Sequence, residues 1–406
     1  MARLVTPWAL ATFFVVVQFY TSLASLSPTP PVGYVFATPA VAKFLVAALV
    51  VTTLCLLVRL LRERAQPAAT SAGILGAWLG SALLSAVLGL DPWSSLQVVG
   101  MMAMCAIFHV ALVRYTRDPG VTPALLGAYL AVGAAAAVAA LEMVATHRPA
   151  SLWALNHGRA AGVFITANQF AAFLIAFIFV ALGVGLGRPR RLRTLALAAA
   201  AVGMVALAST VSQAGWLGAA AGAVFFAWAS GARRVAGACA LVLALAGAGF
   251  AVRPAALHNP AEAFDRVRIW RSGARVAELF PLTGVGPMAY WRVYPAVQPP
   301  NADPPGTFGA LHPHDVYLSL AGETGAVGLG ALGFGWWRFV RAMRTGLRRS
   351  PRPDRMLGIG VCAALVAVLV QGAFDTIGIV EMTFVWIPYA ALALACVAPA
   401  RGALVP

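Results

Sequence analysis

The residue types best suited to chemistry in this chain stand on either side of a histidine pair. Leu311-His312-Pro313-His314-Asp315-Val316-Tyr317-Leu318 runs straight into an apolar stretch, so Pro313 predicts a first helical turn and Asp315 its positive end. The same helix terminus disfavours an imidazolium. His314 is therefore expected to be neutral at pH 7, as a general base requires, although a polar side chain at such a boundary can equally be structural. Upstream, Pro260 to Leu279 reads as a helix carrying Arg266, Arg268, Arg271 and Arg275. At 100° per residue the last three fall within about 60° of one another, a face suited to solvent or anionic lipid headgroups. Arg266 points the opposite way, beside Ile269, Trp270, Gly273, Ala277 and Phe280. On that apolar face an uncompensated charge is costly, so Arg266 needs either an ion-pair partner or an anionic group of a substrate.

The elements that must hold these residues are membrane spans. Of 406 residues 61% are hydrophobic and only 10% charged, against roughly 25% in a soluble domain, which excludes soluble architecture. Apolar runs recur along the chain, predicting an all-α polytopic membrane protein. Twelve spans are expected, beginning near Trp8, Phe36, Ser71, Trp93, Val121, Ala161, Arg193, Val211, Arg233, His314, Arg355 and Val380. Met1 to Leu26 resembles a cleaved signal peptide in outline but is read as the first span. The polar run Ser209-Thr210-Val211-Ser212-Gln213 separates two spans that would otherwise be one overlong apolar segment. With the N-terminus inside, 20 of the 29 basic residues fall on the cytoplasmic side, eight fall outside, and Lys43 lies within a span. The net charge of +16 is accounted for by this asymmetry and by contact with membrane lipids, without nucleic acid as a partner. The eight outside arginines occupy two segments: Arg148 and Arg159 in one, and Arg253, Arg266, Arg268, Arg271, Arg275 and Arg292 in the other. The second lies in a loop of about 60 residues, uncommon without a function, with a helix in its first half and a Pro- and Gly-rich cover in its second. The organisation expected is spans one to nine over 1–252, an external loop with an amphipathic helix over 253–313, and spans ten to twelve over 314–406. Glu323 lies nine residues beyond His314, roughly 13 Å along the helix, and with Lys43 it is an intramembrane charge that either touches substrate or pairs. Cys55, Cys105, Cys239, Cys362 and Cys396 all fall in apolar segments, as reduced packing residues do.

Several of these segments, taken in order, resemble the O-antigen ligase and O-antigen polymerase superfamily of bacterial envelope glycosyltransferases. They are Gly158-Arg159 through Gly162 to Asn168-Gln169; Ser212-Gln213-Ala214-Gly215; Arg266-Val267-Arg268-Ile269-Trp270 with Pro281-Leu282-Thr283-Gly284-Val285-Gly286; and His314-Asp315-Val316-Tyr317-Leu318 with Glu323-Thr324-Gly325. The resemblance spans about 170 residues and leaves the first five spans without a family signature. It implies transfer of a glycan from an undecaprenyl diphosphate carrier, outside the inner membrane, to a glycan, a lipid A core sugar or a protein. It also implies that Arg159 and Arg266 hold the diphosphate and that His314 is the essential histidine. Around these three, Lys43, Asn168, Gln213, Arg268, His312, Asp315 and Glu323 are expected to contact substrate. Three positions depart from the family pattern: Gln213 stands where Arg is usual, Asp315 where Asn is common, and Ala167 where Pro often precedes the Asn.

The residue chemistry agrees with that implication. A departing diphosphate gains charge, and guanidinium groups in a low-dielectric site stabilise it more in the transition state than in the ground state. The acidic residues expected outside, Glu262, Asp265, Glu278, Asp303 and Asp315, are scattered, so neither a metal site nor any other cofactor is expected. A transporter or flippase for a lipid-linked or anionic solute is the competing reading, since it too uses many spans and intramembrane Lys43 and Glu323. It should show an internal repeat and polar sites near the midplane, whereas here the polar signal gathers at one external face.

Overall fold

The computed structural model describes residues 2–18, 39–118, 120–232, 260–298, 312–375 and 379–397, and among these there is helix and connecting turn but no strand. The first helices are α1 (Ala2–Gln18), α2 (Pro39–Arg62), α3 (Ala69–Leu88), α4 (Pro92–Tyr115) and α5 (Val121–Thr146). Then come a short α6 (Ala150–Leu155), α7 (Ala167–Gly187), α8 (Arg190–Ser209) and α9 (Gln213–Ala229). After residue 259 follow α10 (Pro260–Leu279), α11 (Tyr290–Val297), α12 (Val316–Arg349), α13 (Arg352–Gly372) and α14 (Ile379–Val397). Seven of these, α2, α3, α4, α5, α7, α8 and α13, are long and apolar enough to cross a bilayer. The chain therefore has the build of an all-α polytopic membrane protein. Of the other expected spans, the first and last contain shorter apolar runs, Thr6–Gln18 and Val385–Val397. The eighth is the 17-residue α9, the tenth is the broken helix α12, and the ninth, from Arg233, lies outside the described residues.

The centre of the bundle is built on close backbone contact. Gly183 and Gly187 of α7 lie against Met356 and Pro353 of α13, and Gly360 lies against Phe179. Gly218 of α9 fits against Ala367 in the same way. Apolar helices gain little by burying one another away from lipid that is equally apolar, so small residues that admit tight packing select the partners. Around this core α1 packs on α2 and α5, α3 on α12, and α14 on α4, α12 and α13.

The two ends of the bundle differ. One gathers the C-termini of α2, α4, α7 and α12 and the N-terminus of α13, where the basic residues concentrate. There Arg59, only 4% exposed, donates to Thr6 Oγ1 at 2.6 Å, Asp118 at 2.7 Å and Glu63 at 3.0 Å, and lies 3.7 Å from the Tyr115 ring centroid. A buried guanidinium this fully paired clamps the ends of α1, α2 and α4 together. The opposite end gathers the N-termini of α4, α7, α9 and α12 and the C-termini of α3, α8 and α13.

The most irregular backbone explains two motifs at once. Helix α12 is interrupted at Gly325, which has φ +61 and ψ −160. Such a break frees main-chain groups that hydrocarbon cannot satisfy. The Pro281–Gly286 turn takes them up: Val285 N–H donates to Gly322 O at 2.9 Å and Gly286 N–H to Glu323 O at 3.0 Å. In return, Ala326 N–H donates to Pro281 O at 2.9 Å and Val327 N–H to Leu282 O at 3.1 Å. Gly284, also at positive φ, and Gly325 meet back to back: a Cβ on Gly284 would collide with the Glu323 backbone, and one on Gly325 with the Leu282 backbone. Ser85 Oγ lies 2.6 Å from Glu323 O and 2.5 Å from Thr283 O, tying the junction to α3.

Helix α10 consequently runs alongside the first half of α12, with Gly273 against Pro313 and Leu318 and Val276 against Gly322. Helix α11, which the Pro- and Gly-rich composition concealed, then returns beside it, and Ser272 Oγ donates to Val297 O at 3.3 Å. Arg292 of α11 is pinned to Asp91 at 2.7 Å, and its guanidinium holds that carboxyl below its usual range. Residues 260–298 thus form a helical hairpin set into the bundle; 253–259 and 299–311 lie outside the described residues. Cys55, Cys105, Cys362 and Cys396 are free thiols, all but Cys55 buried, and Cys239 lies outside the described residues.

Candidate active site

At the polar end, the segment between α6 and α7 is shaped by Asn156. Its amide donates to Leu152 O and Ile165 O, each at 3.0 Å, and its carbonyl accepts from Ala167 N–H at 2.7 Å. This cross-brace folds Gly158-Arg159 back over the start of α7. There Arg159 Nε donates to Thr210 O at 2.8 Å, and its NH2 group donates to Asn168 Oδ1. Ala160 N–H adds a bond to Ser209 O at 3.1 Å. Arg159, Asn168 and the Ser209–Gln213 turn, far apart in sequence, are therefore one cluster. The Ser212 hydroxyl caps α9 by accepting from Gly215 N–H, and Gly215 packs on Ala171 of α7, so the N-termini of α7 and α9 lie together beside the guanidinium. Two positive helix ends and one arginine make a favourable setting for an anion. Gln213, in the first position of α9, is exposed.

Gln371 links this cluster to α13. Its Nε2 donates to Asn168 O at 2.9 Å while the side chain is 1% exposed. One turn later, Asp375 is 3% exposed and within electrostatic range of His312. Tyr317 OH donates to Leu369 O at 3.4 Å, holding the start of α12 against the end of α13. Around the same helix ends, Trp270 of α10 lies 6.3 Å from the Phe374 ring. Asn156, Gln371 and Asp375 were not singled out by residue type alone; the available signal was that Gln371 and Asp375 end an apolar span on the side that carries the arginine cluster.

The histidine motif is arranged differently from the expected first turn. Helix α12 begins at Val316, with Asp315 as its N-cap accepting from the N–H groups of Tyr317 and Leu318, both at 2.8 Å. Asp is among the strongest capping residues, and Pro313 is spent on packing against Gly273, so the helix starts later than Pro313 suggests. His314 stands just before the cap with φ +51, a left-handed conformation that costs energy for a residue with a Cβ. Its N–H donates to His312 Nδ1 at 3.4 Å, and the two rings are 4.6 Å apart. Burial, then the neighbouring His314, push the His312 imidazole down to about 3, while Asp375 acts in the opposite sense. His312 is thus neutral at pH 7. Burial raises the Asp315 carboxyl, partly offset by the two N–H groups it caps.

The remaining candidates are placed less centrally. The Arg266 backbone lies in α10, and its side chain lies outside what is described. Arg271 and Arg275 are exposed, as expected, but Arg268 is half-buried like Ile269, Trp270, Ala277 and Phe280, and the fully buried positions of the helix are Ser272, Gly273 and Val276. Glu323 is 2% exposed at the α12 break, and its carbonyl is engaged in the turn junction. Lys43 is exposed on α2, a helix that packs on α1 and α4, and no ion pair joins it to Glu323.

Fold and site together define a class: a polytopic helical membrane protein that brings Arg159, His312, His314 and several helix N-termini to the end of its bundle opposite the arginine-rich one. Residues 198–333 match the family model described as O-antigen ligase, which supports the O-antigen ligase and polymerase superfamily and a glycosyltransferase of that type. The matched segment contains the Ser212–Gly215 turn, α10, the Pro281–Gly286 turn, His314 and the Glu323–Gly325 break, while Arg159, Asn168 and Gln371 lie beyond it. No curated protein matches the chain.

Proposed function

We propose that the chain transfers a glycan from undecaprenyl diphosphate to an acceptor hydroxyl at the periplasmic face of the bacterial inner membrane. The acceptor is a growing glycan, a lipid A core sugar or a protein. Twelve spans carry the site, with 253–313 as its external segment. The observation that carries this reading is the Arg159 cluster: a guanidinium held by Asn168 Oδ1 and Thr210 O at the joined N-termini of α7 and α9, linked through Gln371 and Asp375 at the end of α13 to the His312–His314 turn that precedes α12.

In the proposed reaction His314 removes the proton from the acceptor hydroxyl as its oxygen attacks C1 of the donor sugar. The bond from C1 to the diphosphate oxygen breaks, and the electron pair leaves with undecaprenyl diphosphate. Arg159 and Arg266 stabilise the charge that develops there, supported by the helix N-termini. Asp315 orients the turn that carries His314, and Asn168 and Gln213 border the donor. His312, Arg268, Glu323 and Lys43 are proposed as outer contacts of the substrates. The reaction needs neither nucleotide nor metal, because the diphosphate has already activated the sugar.

The test is transfer by the purified full-length chain in lipid nanodiscs, using an undecaprenyl diphosphate-linked oligosaccharide and a panel of glycan, core-sugar and peptide acceptors. Appearance of undecaprenyl diphosphate together with glycosylated acceptor supports the proposal. Movement of the intact lipid-linked donor across the membrane without transfer would replace it with a flippase.

A further inference from the structure

A second polar site lies at the arginine-rich end, across the bundle from Arg159 and His314. Helix ends there enclose a cavity of about 260 Å³. Its rim carries Arg117 and Thr122 from the connection between α4 and α5, Arg188 after α7, and Asp354 in the first turn of α13. Deeper in, the wall is Leu125, Leu357 and Leu392. The N-terminus of α5, which has no side-chain cap, opens onto this space through Val121 and Thr122, and the first turn of α13 reaches it through Asp354. Asp354 meets Arg188 only loosely, at 3.9 Å, with both side chains more than a quarter exposed. The rim therefore brings two guanidinium groups, the Thr122 hydroxyl and the start of α5 to one opening, groups that can all donate to a phosphate.

The position of the cavity narrows the ligand. A rim of donors alone would serve any phosphate, but here it stands over a leucine-lined floor at the level where several helices end. A ligand with a charged head and an apolar continuation satisfies both parts. We propose that this cavity binds the phosphate headgroup of an anionic phospholipid, seated between Arg117 and Arg188 with the start of an acyl chain along the leucine wall. Such a lipid bridges α4, α5, α7, α13 and α14, so its effect is expected on the stability of the bundle. The inference does not depend on the proposed transfer reaction.

The test uses the full-length chain in detergent, titrated with phosphatidylglycerol, with phosphatidylcholine, or with inorganic phosphate, while thermal unfolding and native mass spectrometry are followed. Phosphatidylglycerol should be retained and raise the melting temperature by several degrees, and phosphatidylcholine should not. Arg117→Gln combined with Arg188→Gln should abolish the increment. Arg344→Gln, which removes an exposed charge from the same end but outside the cavity, should keep it. An equal increment from inorganic phosphate alone would overturn the lipid assignment in favour of a soluble anion. An undiminished increment in the double variant, or an equal loss in Arg344→Gln, would reduce the effect to general surface attraction. Should the double variant fold poorly, the single Arg117→Gln variant, on the connection between two helices, gives the same comparison.

Discussion

At the scale of single residues, the two histidines are separated by backbone geometry more than by position. His314 occupies a left-handed conformation ahead of the Asp315 cap, and His312 lies beneath it with its ring nitrogen turned toward the His314 N–H. Asn tolerates that conformation better than most residues, so His314→Asn removes the imidazole while keeping the turn. It should lower transfer by about 10²- to 10⁴-fold with donor binding retained, and His312→Ala should cost much less. Loss of donor binding in His314→Asn, with normal turnover of whatever binds, would make the residue a diphosphate ligand instead. His312 also predicts a pH dependence. Its folded value, about 3, lies below the ordinary 6.5, so the unfolded chain takes up the proton first. Stability is fully present above about pH 6.5 and is lost as pH falls toward 3, and His312→Gln should flatten that slope in denaturation measured from pH 7 to 4. Arg159 makes two directed hydrogen bonds from different nitrogens, a fork that lysine lacks. Arg159→Lys should therefore weaken transfer nearly as much as Arg159→Ala. Gln371→Ala, which releases the Asn168 carbonyl, should raise the KM for donor more than it lowers kcat.

At the scale of elements, the α12 break and the Pro281–Gly286 turn form one unit, because each supplies hydrogen-bond partners that the other lacks. Gly325→Ala imposes both an unfavourable φ and a collision with Leu282, costing about 1–3 kcal/mol for the strain alone. Its loss should appear as a lower melting temperature and as faster proteolysis within α10 and α11. Substitution at Gly330, in the same helix but with open space around its Cβ, should be tolerated. Equal effects at the two positions would show that the docking of the turn is not what stabilises the break. Asp315→Ala removes the α12 cap and should cost about 1 kcal/mol, the usual penalty for a lost N-cap.

At the scale of the molecule, the two ends of the bundle have different chemistry, and the proposed function depends on which side each faces. An impermeant thiol reagent applied to intact cells should modify Arg271→Cys on exposed α10 and spare Thr345→Cys near the end of α12. Modification of the second position alone would invert the topology and place Arg159 and His314 on the wrong side for an externally presented donor.

What the amino-acid sequence determined by itself is what depends on local composition and period. Long apolar runs specify spans because hydrocarbon demands internally bonded backbone, and Arg, Pro and Gly mark to within several residues where seven of them begin. The exposure of Arg271 and Arg275 and the burial of Gly273 on α10 were legible for the same reason, by simple helical arithmetic, whereas the burial of Ser272 and Val276 was set by the packing against α11 and α12. The resemblance motifs were also visible, but only as separate strings. Their assembly was decided by tertiary structure: Arg159 reaches Asn168 and Thr210, Gln371 reaches Asn168 across more than 200 residues, and Gly284 meets the break at Gly325. None of these pairings has a period. Each follows from which helices pack together and from the need of a buried polar group to find a partner wherever the fold brings one, which is why Asn156, Gln371 and α11 emerged only once the chain was folded.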